Sequence, residues 1–430
     1  MGRPALGSGA EARVERFVAD AYPLHRSITG DGVRRTLELV GASLALDVVE
    51  VPTGTEVLDW TVPQEWRCRE AYVVDPDGRR RFDVADHNLH LVGYSAPFRG
   101  VVDREELRSH LHTLPDRPEL IPHRTSYFTP TWGFCTTQRE ADALVPGDYE
   151  VVVDTELFDG SLTYAEAVFP GEEDQEVLLV THTCHPSLAN DNLSGIAALI
   201  EVGRVLAQRR SRFTHRLLFV PATIGSIAWL ARNQPVVDRV HCGLVITGFG
   251  DRGGFTYKRS RRGDTVVDRA AEVVVGRRDG ARLLDWYPFG YDERQFCSPG
   301  YDLAVGRLTR SLHGTFPEYH TSGDDPSFVD PAQVIAGAEV VLDLLAAIEA
   351  NGSHRNLAPY GEPRLGPRGL FGATGGGLDR AAHEQAVMWV LSLSDGDHDL
   401  VSIAAASGLD VAVVADAASQ LTAAGLLGPA

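Results

Sequence analysis

Short apolar runs alternate with segments of helical periodicity between residues 150 and 350, and this alternation restricts the fold more than any other feature. "EVLLVTH" precedes a predicted helix at about 192–208, and "HRLLFVP" precedes "TIGSIAWLARN". "CGLVITG", a helix near 264–276, "DLAVGRL" and a last helix at 331–350 continue the pattern. Strands alternating with helices predict a mostly parallel sheet covered on both faces. Binding sites in such sheets lie at the carboxyl ends of the strands.

The pattern of apolar and polar residues is different on the N-terminal side of this region. Residues 10–46 have helical periodicity with a break at "SITGDG". After about residue 50, short runs such as "EAYVVD" and "YEVVVDTEL" alternate with Pro, Gly and Asp turns, which is typical of β structure. We therefore predict a β-rich domain at 51–150, inserted into a domain formed by residues 1–50 and 151–352.

The C-terminal part carries a different pattern. Residues 353–380 are rich in Gly and Pro and predict a linker. Three short helices and a Gly-containing turn follow at 381–430, the arrangement of a winged-helix domain; their ranges are about 382–393, 399–406 and 410–424. Winged helices usually bind DNA, but residues 381–430 contain no Lys or Arg to neutralise phosphate. We predict a packing or dimerisation module; in the second case the protein would form a homo-oligomer.

The formal charge of −19 restricts the partners. So acidic a surface repels nucleic acid and anionic membranes, so we expect a small-molecule or peptide substrate instead. No window approaches the roughly 20 apolar residues of a membrane-spanning helix, and the N-terminus lacks the apolar core of a signal peptide. The five cysteines are odd in number, far apart and without a CxxC pair, which fits a reducing compartment. These features predict a cytoplasmic protein.

One stretch, "THTCHPSLANDNLSG", concentrates candidate metal ligands where a predicted strand ends. His182 and His185 follow the strand "EVLLV", and Asp191 precedes the next helix. Zinc takes imidazole and carboxylate ligands, so the three residues fit a zinc site. The alternative is a polar loop in which Asp191 caps the helix. A second stretch, "FPEYHTSGDDPSFVD", follows the strand "DLAVGRL" and adds His320, which favours the metal site.

Together these stretches resemble the metal site of zinc aminopeptidases and carboxypeptidases with an α/β core. "ANDNLSG" before a helix and a distant "YHTSGDD" occur here in the order found in that family, over roughly residues 150–350. The chain is still more similar to a bacterial family of aminopeptidase-like proteins often encoded with polysaccharide or natural-product biosynthesis. The motifs behind this resemblance include "YPLHRSITGDGVRRTL", "SYFTPTWGFC", "DGSLTYAE", "TIGSIAWL", "SRRGDTVVDRA" and "DERQFCSPG".

The resemblance implies an α/β fold with a mixed, mostly parallel sheet of zinc-exopeptidase type. It also implies an inserted β-rich domain and a small C-terminal winged-helix domain. Asp191 and His320 would be metal ligands, together with His182 or His185. His182 fits the first position of the family's "HxD" but leaves Cys184 in place of its Asp, whereas His185 is closer to the Asp191 turn. Cys184 itself is expected to be a buried or ligand-adjacent thiol.

This sequence departs from the family at the next strand ends. The usual Glu-Glu pair, one base and one ligand, is replaced by Ala222 and Thr223 in "VPATIGS". The later Asp ligand would fall near "VITGFGD", where Thr247 stands and Asp251 follows. The ligands that survive are His, Asp and His, which suit one zinc ion rather than two. A general base would then have to come from elsewhere.

The candidates for that base lie in three motifs. "YDERQF" stands where the family often has "SDHxxF", and it supplies Glu293 as first candidate, with Asp292 beside it. Glu166 and Glu318 come next. Substrate contacts are predicted from residue type: Arg310 would hold a carboxylate in a bidentate fork, and Tyr319 neighbours the ligand His320. Aromatic rings would line a pocket or pack the β-rich segment against the core; they are Tyr127 and Trp132.

The sequence leaves three functions open. The leading one is a zinc-dependent hydrolase of amide bonds, aminopeptidase-like or a deacylase of a small peptide, natural-product or saccharide intermediate. The second is a pseudo-enzyme that binds metal or ligand but lost hydrolysis with the Glu-Glu pair. The third, a regulator that uses the C-terminal helices, is disfavoured by their lack of cations. The substrate itself depends on pocket shape, which the sequence does not specify.

Overall fold

The computed structural model describes residues 6–370 and 378–430. Its helices are α1 (Ala10–Ala21), α2 (Asp31–Gly41), α3 (Arg104–Ser109), α4 (Gln138–Asp142), α5 (Gly195–Leu206), α6 (Ile224–Arg232), α7 (Gln234–Val237), α8 (Val266–Val274), α9 (Glu293–Phe296), α10 (Pro331–Ala350), α11 (Leu378–Leu393), α12 (Leu400–Ser407) and α13 (Val411–Ala423). Its strands are β1 (Asp47–Pro52), β2 (Glu56–Val57), β3 (Trp60–Thr61), β4 (Glu65–Val74), β5 (Arg80–Arg81), β6 (Phe98–Asp103), β7 (Leu111–His112), β8 (Phe134–Cys135), β9 (Asp148–Phe158), β10 (Ser161–Phe169), β11 (Glu173–His182), β12 (Phe213–Val220), β13 (Val240–Ile246), β14 (Thr256–Lys258), β15 (Arg282–Leu284), β16 (Val305–Thr309), β17 (Ser353–Asn356), β18 (Asp395–Asp399) and β19 (Leu427–Pro429).

An eight-stranded mixed sheet organises the main domain, in the order β1-β10-β12-β11-β13-β16-β14-β15. The central strand β11 runs parallel to both of its neighbours, β12 and β13, and β13 runs parallel to β16. A central strand with helices on both faces must be apolar throughout, and "EVLLVTH" is buried from Glu176 to His182. The mixed α/β fold predicted from the alternating pattern is confirmed.

Helices cover the sheet and bury a large cluster of apolar side chains against it. Residues of α1 and α2, such as Val14, Val18 and Leu37, share a cluster of buried side chains with α5, α8 and α10. Helix α10 begins with Pro331, and the side chain of Asp330 accepts a hydrogen bond from the Ala332 amide at 3.0 Å. Proline at the first helical position and aspartate before it both favour a helix start, which explains why this boundary is readable from the sequence.

Helix α10 corrects one expectation from the sequence. It is 20 residues long and apolar enough, by length and composition, to cross a membrane. In the structure 56% of its apolar window is buried, and it packs against α1, α5 and α8. A Cβ atom at Gly337 would lie 2.3 Å from the Phe249 ring, so glycine allows the close approach of this helix to the core. The apolar character of the helix is explained by the residues that it packs into the core of the main domain.

A smaller β unit, residues 56–158, stands apart from the main sheet. Its four-stranded antiparallel sheet has the order β5-β4-β9-β6. After β9, the chain enters the main sheet at β10, which pairs antiparallel with β1. Residues 117–123 reach back to the main domain: the Ser322 amide donates to the Ile121 carbonyl at 2.8 Å, and the His123 amide donates to the His320 carbonyl at 2.8 Å. The β unit therefore contacts the loop that follows β16.

The C-terminal part starts earlier than the sequence suggested. Residues 353–356, placed in the predicted linker 353–380, form strand β17 at the centre of the three-stranded sheet β18-β17-β19. The pairing partners are at least 40 residues further along the chain, so no local pattern marked this strand. Part of the predicted linker, residues 371–377, lies outside the described residues. Helices α11, α12 and α13 follow close to the predicted ranges.

A buried histidine in β12 makes stability depend on pH. His215 is 1% exposed, and both ring nitrogens lack a hydrogen-bond partner, although Glu349 Oε1 is 3.4 Å from Nε2. Burial lowers the pKa of His215 to about 4. The unfolded pKa is about 6.5, so the unfolded state binds an extra proton between these values. Stability from this group is therefore lost as pH falls through that window, by about 2 kcal/mol between pH 7 and pH 5.

Urea unfolding of wild type and His215→Phe at pH 7 and pH 5 checks this expectation. Phenylalanine fills a similar volume without a titrating group, so the variant should lose about 2 kcal/mol less than wild type on acidification. Equal losses in the two proteins would contradict the assignment.

Candidate metal centre

The centre lies where three parallel strands end. His182 is the last residue of β11 and is opposite Val220, the last residue of β12. On the other side, Val180 pairs with Val245, so the end of β13 lies beside the same edge. The loop after β16 returns to this edge with His320. The carboxyl ends of the strands thus form the site, as expected for an open α/β sheet.

Five residues bring their donor atoms together at this edge. His182 Nε2 is 2.9 Å from Asp191 Oδ1, and His320 Nε2 is 3.0 Å from Asp191 Oδ2. Ligand atoms of His182, His185 and Asp191 lie within 4.8 Å of one another, and the same holds for His123, His185 and His320. The structure therefore brings together the four metal-ligand candidates from the sequence and adds His123.

Hydrogen bonds fix the turn that carries Asp191. Asp324 accepts from the main-chain amides of Asn190 at 2.5 Å and Asp191 at 2.9 Å. The amide group of Asn192 donates to Thr181 Oγ1 at 2.7 Å and to the His182 carbonyl at 3.0 Å. Asp191 itself therefore caps no helix, because its carboxylate points at the histidines. The alternative interpretation, a polar loop in which Asp191 caps the helix, does not describe this structure.

Burial and charge favour the protonation states that metals require in three of these residues, His123, His185 and Asp191. Burial lowers the pKa of His123 to about 3 and that of His185 well below its ordinary value. Burial alone would raise the pKa of Asp191, but His185, His182 and His320 outweigh it and lower that pKa well below its usual range. Metals bind neutral imidazole and ionised carboxylate. Burial also raises the pKa of Asp324 to about 8.

The donor set fits a zinc ion. It consists of imidazole nitrogens and a carboxylate, the ligands that zinc takes in catalytic sites. Two ring nitrogens in the cluster, His123 Nε2 and His182 Nδ1, are buried and have no hydrogen-bond partner. An unpartnered buried donor or acceptor is costly, so a metal ion or an orienting group at these atoms would remove a penalty.

Residues outside the donor set hold the histidines in place. The ring of Tyr291 stacks on His182, with centroids 5.2 Å apart, and its hydroxyl donates to Asp191 Oδ2 at 3.5 Å. Tyr319 stacks on His320 at 4.0 Å, and its hydroxyl oxygen lies 3.2 Å from that of Tyr291. Arg26, which is 1% exposed, donates from Nε to the His185 carbonyl at 2.8 Å. Tyr319 thus borders the centre, and its substrate contact stays a prediction.

The sequence analysis did not identify two residues of this site, His123 and Arg26. His123 stands alone in "IPHRTSY", with no second ligand type at metal-binding spacing. Arg26 lies in "HRSITGDG", a motif noted only for its resemblance to the family. For His123, its position depends on the pairing of residues 121–123 with 320–322, a long-range contact between two loops. No local pattern could have revealed it.

Two residues predicted to contact substrate have other partners in this structure. Arg310 is 5% exposed, donates to the carbonyls of Gly253 and Gln333 at 2.8 and 3.2 Å, and lies over the Phe255 ring. Both terminal nitrogens thus donate to main-chain oxygens, whereas the buried Nε has no partner, and a carboxylate contact of Arg310 stays a prediction. Trp132 stacks on His110 at 3.7 Å and on Phe98 at 4.5 Å, within the β unit. The packing alternative therefore explains this ring.

The surroundings of Tyr127 are compatible with both predicted roles, lining a pocket and packing the β unit against the core. Its ring packs edge-on against Tyr94 at 5.5 Å. Burial, with Cys184 nearby, raises the pKa of its hydroxyl well above the ordinary value. Cys184 is buried, its Sγ lies 3.6 Å from His185 Nδ1, and burial raises the pKa of the thiol to about 12. A thiol with so high a pKa is a poor nucleophile, as the sequence suggested.

The structure changes the order of the base candidates. Glu293, the first choice, is fully buried with Lys258, whose Nζ is 2.9 Å from Oε1, and Arg307 lies 3.5 Å from the same oxygen. Its charge is thus engaged in a structural ion-pair cluster. Glu166 pairs with Arg216 on the side of the sheet where β10 and β12 meet. Glu318 accepts only through its carbonyl in the described contacts.

Asp292 has a different environment. Its Oδ1 accepts from Ser226 Oγ at 2.7 Å, whereas the buried Oδ2 has no partner. Burial raises the pKa of Asp292 to about 6, against the opposing effect of nearby His182. Oδ2 of Asp292 and Nδ1 of His182 are both buried and form no hydrogen bond, although the two residues are close enough for the charge of His182 to affect Asp292. A carboxylate is the usual support of a metal-binding histidine.

Glu293→Gln is therefore expected to destabilise the protein. Loss of one partner leaves Lys258 and Arg307 with uncompensated buried charge, which typically costs about 3–5 kcal/mol. Urea unfolding would measure this change, with Glu318→Gln as the matched control and an expected effect of under about 0.5 kcal/mol. Equal stability of the two variants would show that the ion pair is not formed.

Fold and site together define an α/β protein of zinc-exopeptidase type with a histidine–aspartate cluster at the strand ends. A zinc aminopeptidase from Bacillus subtilis shares the fold: the TM-score is 0.58 at 12% identity, over 80% of this chain and 95% of that chain. The family model of a domain of unknown function, DUF4910, matches residues 15–351, and a winged helix-turn-helix model matches residues 353–429. The chain belongs to the DUF4910 family.

Two comparisons with Clostridium acetobutylicum cover nearly the full length. A curated protein is 42% identical over 409 residues, 95% of this chain and 94% of that protein, and is provisionally named a polysaccharide biosynthesis protein with aminopeptidase-like domain. A crystal structure provisionally described as a peptidase has a TM-score of 0.91 at 40% identity, over 98% of this chain and 97% of that chain. The resemblance stated from the motifs is confirmed.

Proposed function

We propose that this protein is a metal-dependent amide hydrolase of aminopeptidase or deacylase type. The observation that carries the proposal is the buried cluster in which Asp191 contacts His182 and His320 through separate oxygens, at 2.9 and 3.0 Å. A zinc ion held there would supply Lewis-acid polarisation of a carbonyl and activation of water near neutral pH. One ion suffices for this chemistry, in line with the expectation from the sequence.

The residues of the chain supply orientation. Asp324 and Asn192 hold the turn of Asp191, and Tyr291 supports both Asp191 and the His182 ring. We assign Asp292 to positioning His182 through their two unpartnered atoms. Loss of such a partner typically weakens metal affinity by 10–100-fold. The buried ion pair of Glu293 with Lys258 supports a structural role for this residue rather than proton transfer.

The substrate proposal follows from the comparisons and the charge. A relative carries a name from polysaccharide biosynthesis, which supports a small intermediate with an amide bond, such as an N-acylated saccharide or a short peptide. A formal charge of −19 and the absence of Lys and Arg from residues 381–430 support a function without nucleic acid or membranes. A cytoplasmic location and self-association remain proposals of the same kind.

A second function is favoured by one specific observation. Ala222 and Thr223 stand beyond the end of β12, where the related peptidases carry their base. Without it, the centre would bind metal or ligand and leave amides intact, as a pseudo-enzyme does. The third candidate function, a regulator, is supported only by the match to the winged helix-turn-helix model.

The assay compares wild type, before and after chelator treatment and zinc re-addition, on aminoacyl anilides, dipeptides and N-acetylated amino sugars. Zinc-dependent release of amine from any of these supports the proposal. Asp292→Asn should need 10–100-fold more zinc for half-maximal rate, if it acts through His182. A wild type that binds zinc but cleaves none of these amides would favour the pseudo-enzyme.

A further inference from the structure

The β unit contacts the loop that carries His320, and this contact includes a second histidine, His123. The Pro122 and Thr321 backbones form an isolated antiparallel bridge. Ile121 accepts from the Ser322 amide at 2.8 Å and donates to Ser322 Oγ at 3.0 Å. The Arg117 side chain donates to the Pro317 carbonyl. Hydrogen bonds of the backbone and of side chains thus hold two loops together, 117–123 and 317–322.

These contacts bring three imidazole rings close together. The His123 ring is 5.1 Å from His320 and 5.3 Å from His185, and the rings of His185 and His320 are 5.0 Å apart. The backbone of His320 has a φ of 54°, in the left-handed region that residues other than glycine rarely occupy. Such strain persists where the surroundings impose it, often at functional sites.

A packed histidine without a ligand explains this arrangement poorly. Its Nε2 atom is buried without any hydrogen-bond partner, so the ring pays the desolvation cost of a polar atom. Three neutral imidazoles that face one another also offer no donor for each other's lone pairs unless their tautomers alternate. Metal ions bound in this cluster would accept the lone pairs of all three rings.

Counting donors shows where such a cation would sit. His185 belongs to both groups of ligand atoms, and a ring nitrogen ligates only one ion at a time. With His185 beside His182 and Asp191 Oδ1, the remaining donors are His123, His320 and Asp191 Oδ2. Each position then has three protein ligands, the number found in catalytic zinc sites with an open fourth position.

We propose that His123 is a metal ligand, and that the β unit thereby completes a second ion position formed by His123, His320 and Asp191 Oδ2. This inference rests on the proposed metal centre but not on hydrolysis. The expectation of a single ion came from a ligand count that lacked His123. The main domain alone would hold one position, and docking of the 117–123 loop would add the other.

Cobalt(II) titration of the metal-free protein tests the proposal without any substrate. Visible absorption should rise to a break near two equivalents in wild type and near one equivalent in His123→Phe, which keeps a ring but offers no ligand atom. His112→Ala, an exposed histidine of the same unit, should behave as wild type. His123→Asp, which restores a ligand atom, should recover the second equivalent at weaker affinity.

Two outcomes would overturn the inference: a wild type that takes one equivalent, or a His123→Phe variant that takes two with unchanged affinity. Circular dichroism and thermal unfolding of the metal-free proteins separate loss of a ligand from loss of structure. If His123→Phe does not fold, metal analysis of His123→Asp and His123→Asn decides, since only aspartate supplies a carboxylate. Activity is measured separately, so inert protein with two equivalents would refute hydrolysis alone, and active protein with one would refute this inference alone.

Discussion

Asp191→Ala is expected to remove the bound metal and, with it, any metal-dependent activity. The carboxylate is the one residue whose oxygens contact two histidines of the cluster, His182 at 2.9 Å and His320 at 3.0 Å. Whether the centre holds one ion or two, this carboxylate contributes to each position. Loss of an outer partner alone weakens metal binding by 10–100-fold, so loss of this direct ligand should exceed that range. Elemental analysis of protein purified without chelators would measure it.

The control for this variant is Asp325→Ala, a loop carboxylate that accepts from Ser327 and is outside the cluster. Asp191→Asn adds a second test, since it keeps the shape of the side chain but removes the charge. It should also lose metal. If either Asp191 variant retained stoichiometric zinc while Asp325→Ala behaved as wild type, the centre would not be where the structure places it.

Much of the fold was readable from the sequence because its signals are local. The strand "EVLLV" is an unbroken apolar run, and α10 begins at Pro331 behind a capping aspartate. The same holds for the motif around Asp191, where strand end, turn and helix start follow within a few residues. These features depend on neighbours in the chain, and periodicity and capping rules describe such neighbours well.

The residues that the sequence analysis missed, or whose partners it did not foresee, have one thing in common: their contacts are long-range. Arg310 resembled a substrate anchor, but main-chain carbonyls 23 and 57 residues away occupy its fork. Glu293 resembled a base until Lys258, 35 residues away, proved to be its ion-pair partner. His123 was missed because its loop is placed by a bridge to Thr321. Residue type predicts what a side chain can do, whereas tertiary pairing decides which partner it has.

Ala222→Glu is expected to raise the rate of amide hydrolysis by about 10²–10⁴, the usual contribution of a positioned general base. Residue 222 lies two positions beyond Val220, which is opposite His182 in the sheet, and its carbonyl accepts from Cys184 Sγ at 3.9 Å. The position therefore borders the metal centre. Thr223 is a poorer choice, because its Oγ1 accepts from Gln295 Nε2 at 3.3 Å.

Ala222→Gln is the matched control, since it has the same size as Glu but no basic oxygen. If the gain comes from proton transfer, only Ala222→Glu should be faster, and its rate should rise as pH increases through the pKa of the new carboxyl group. Zinc content should remain that of wild type in both variants, which separates a new base from a new ligand. An inert wild type with an active Ala222→Glu variant would identify the native protein as a pseudo-enzyme. Equal rates for Ala222→Glu and Ala222→Gln would mean that position 222 does not reach the reacting amide. The missing Glu-Glu pair would then not be what limits this centre.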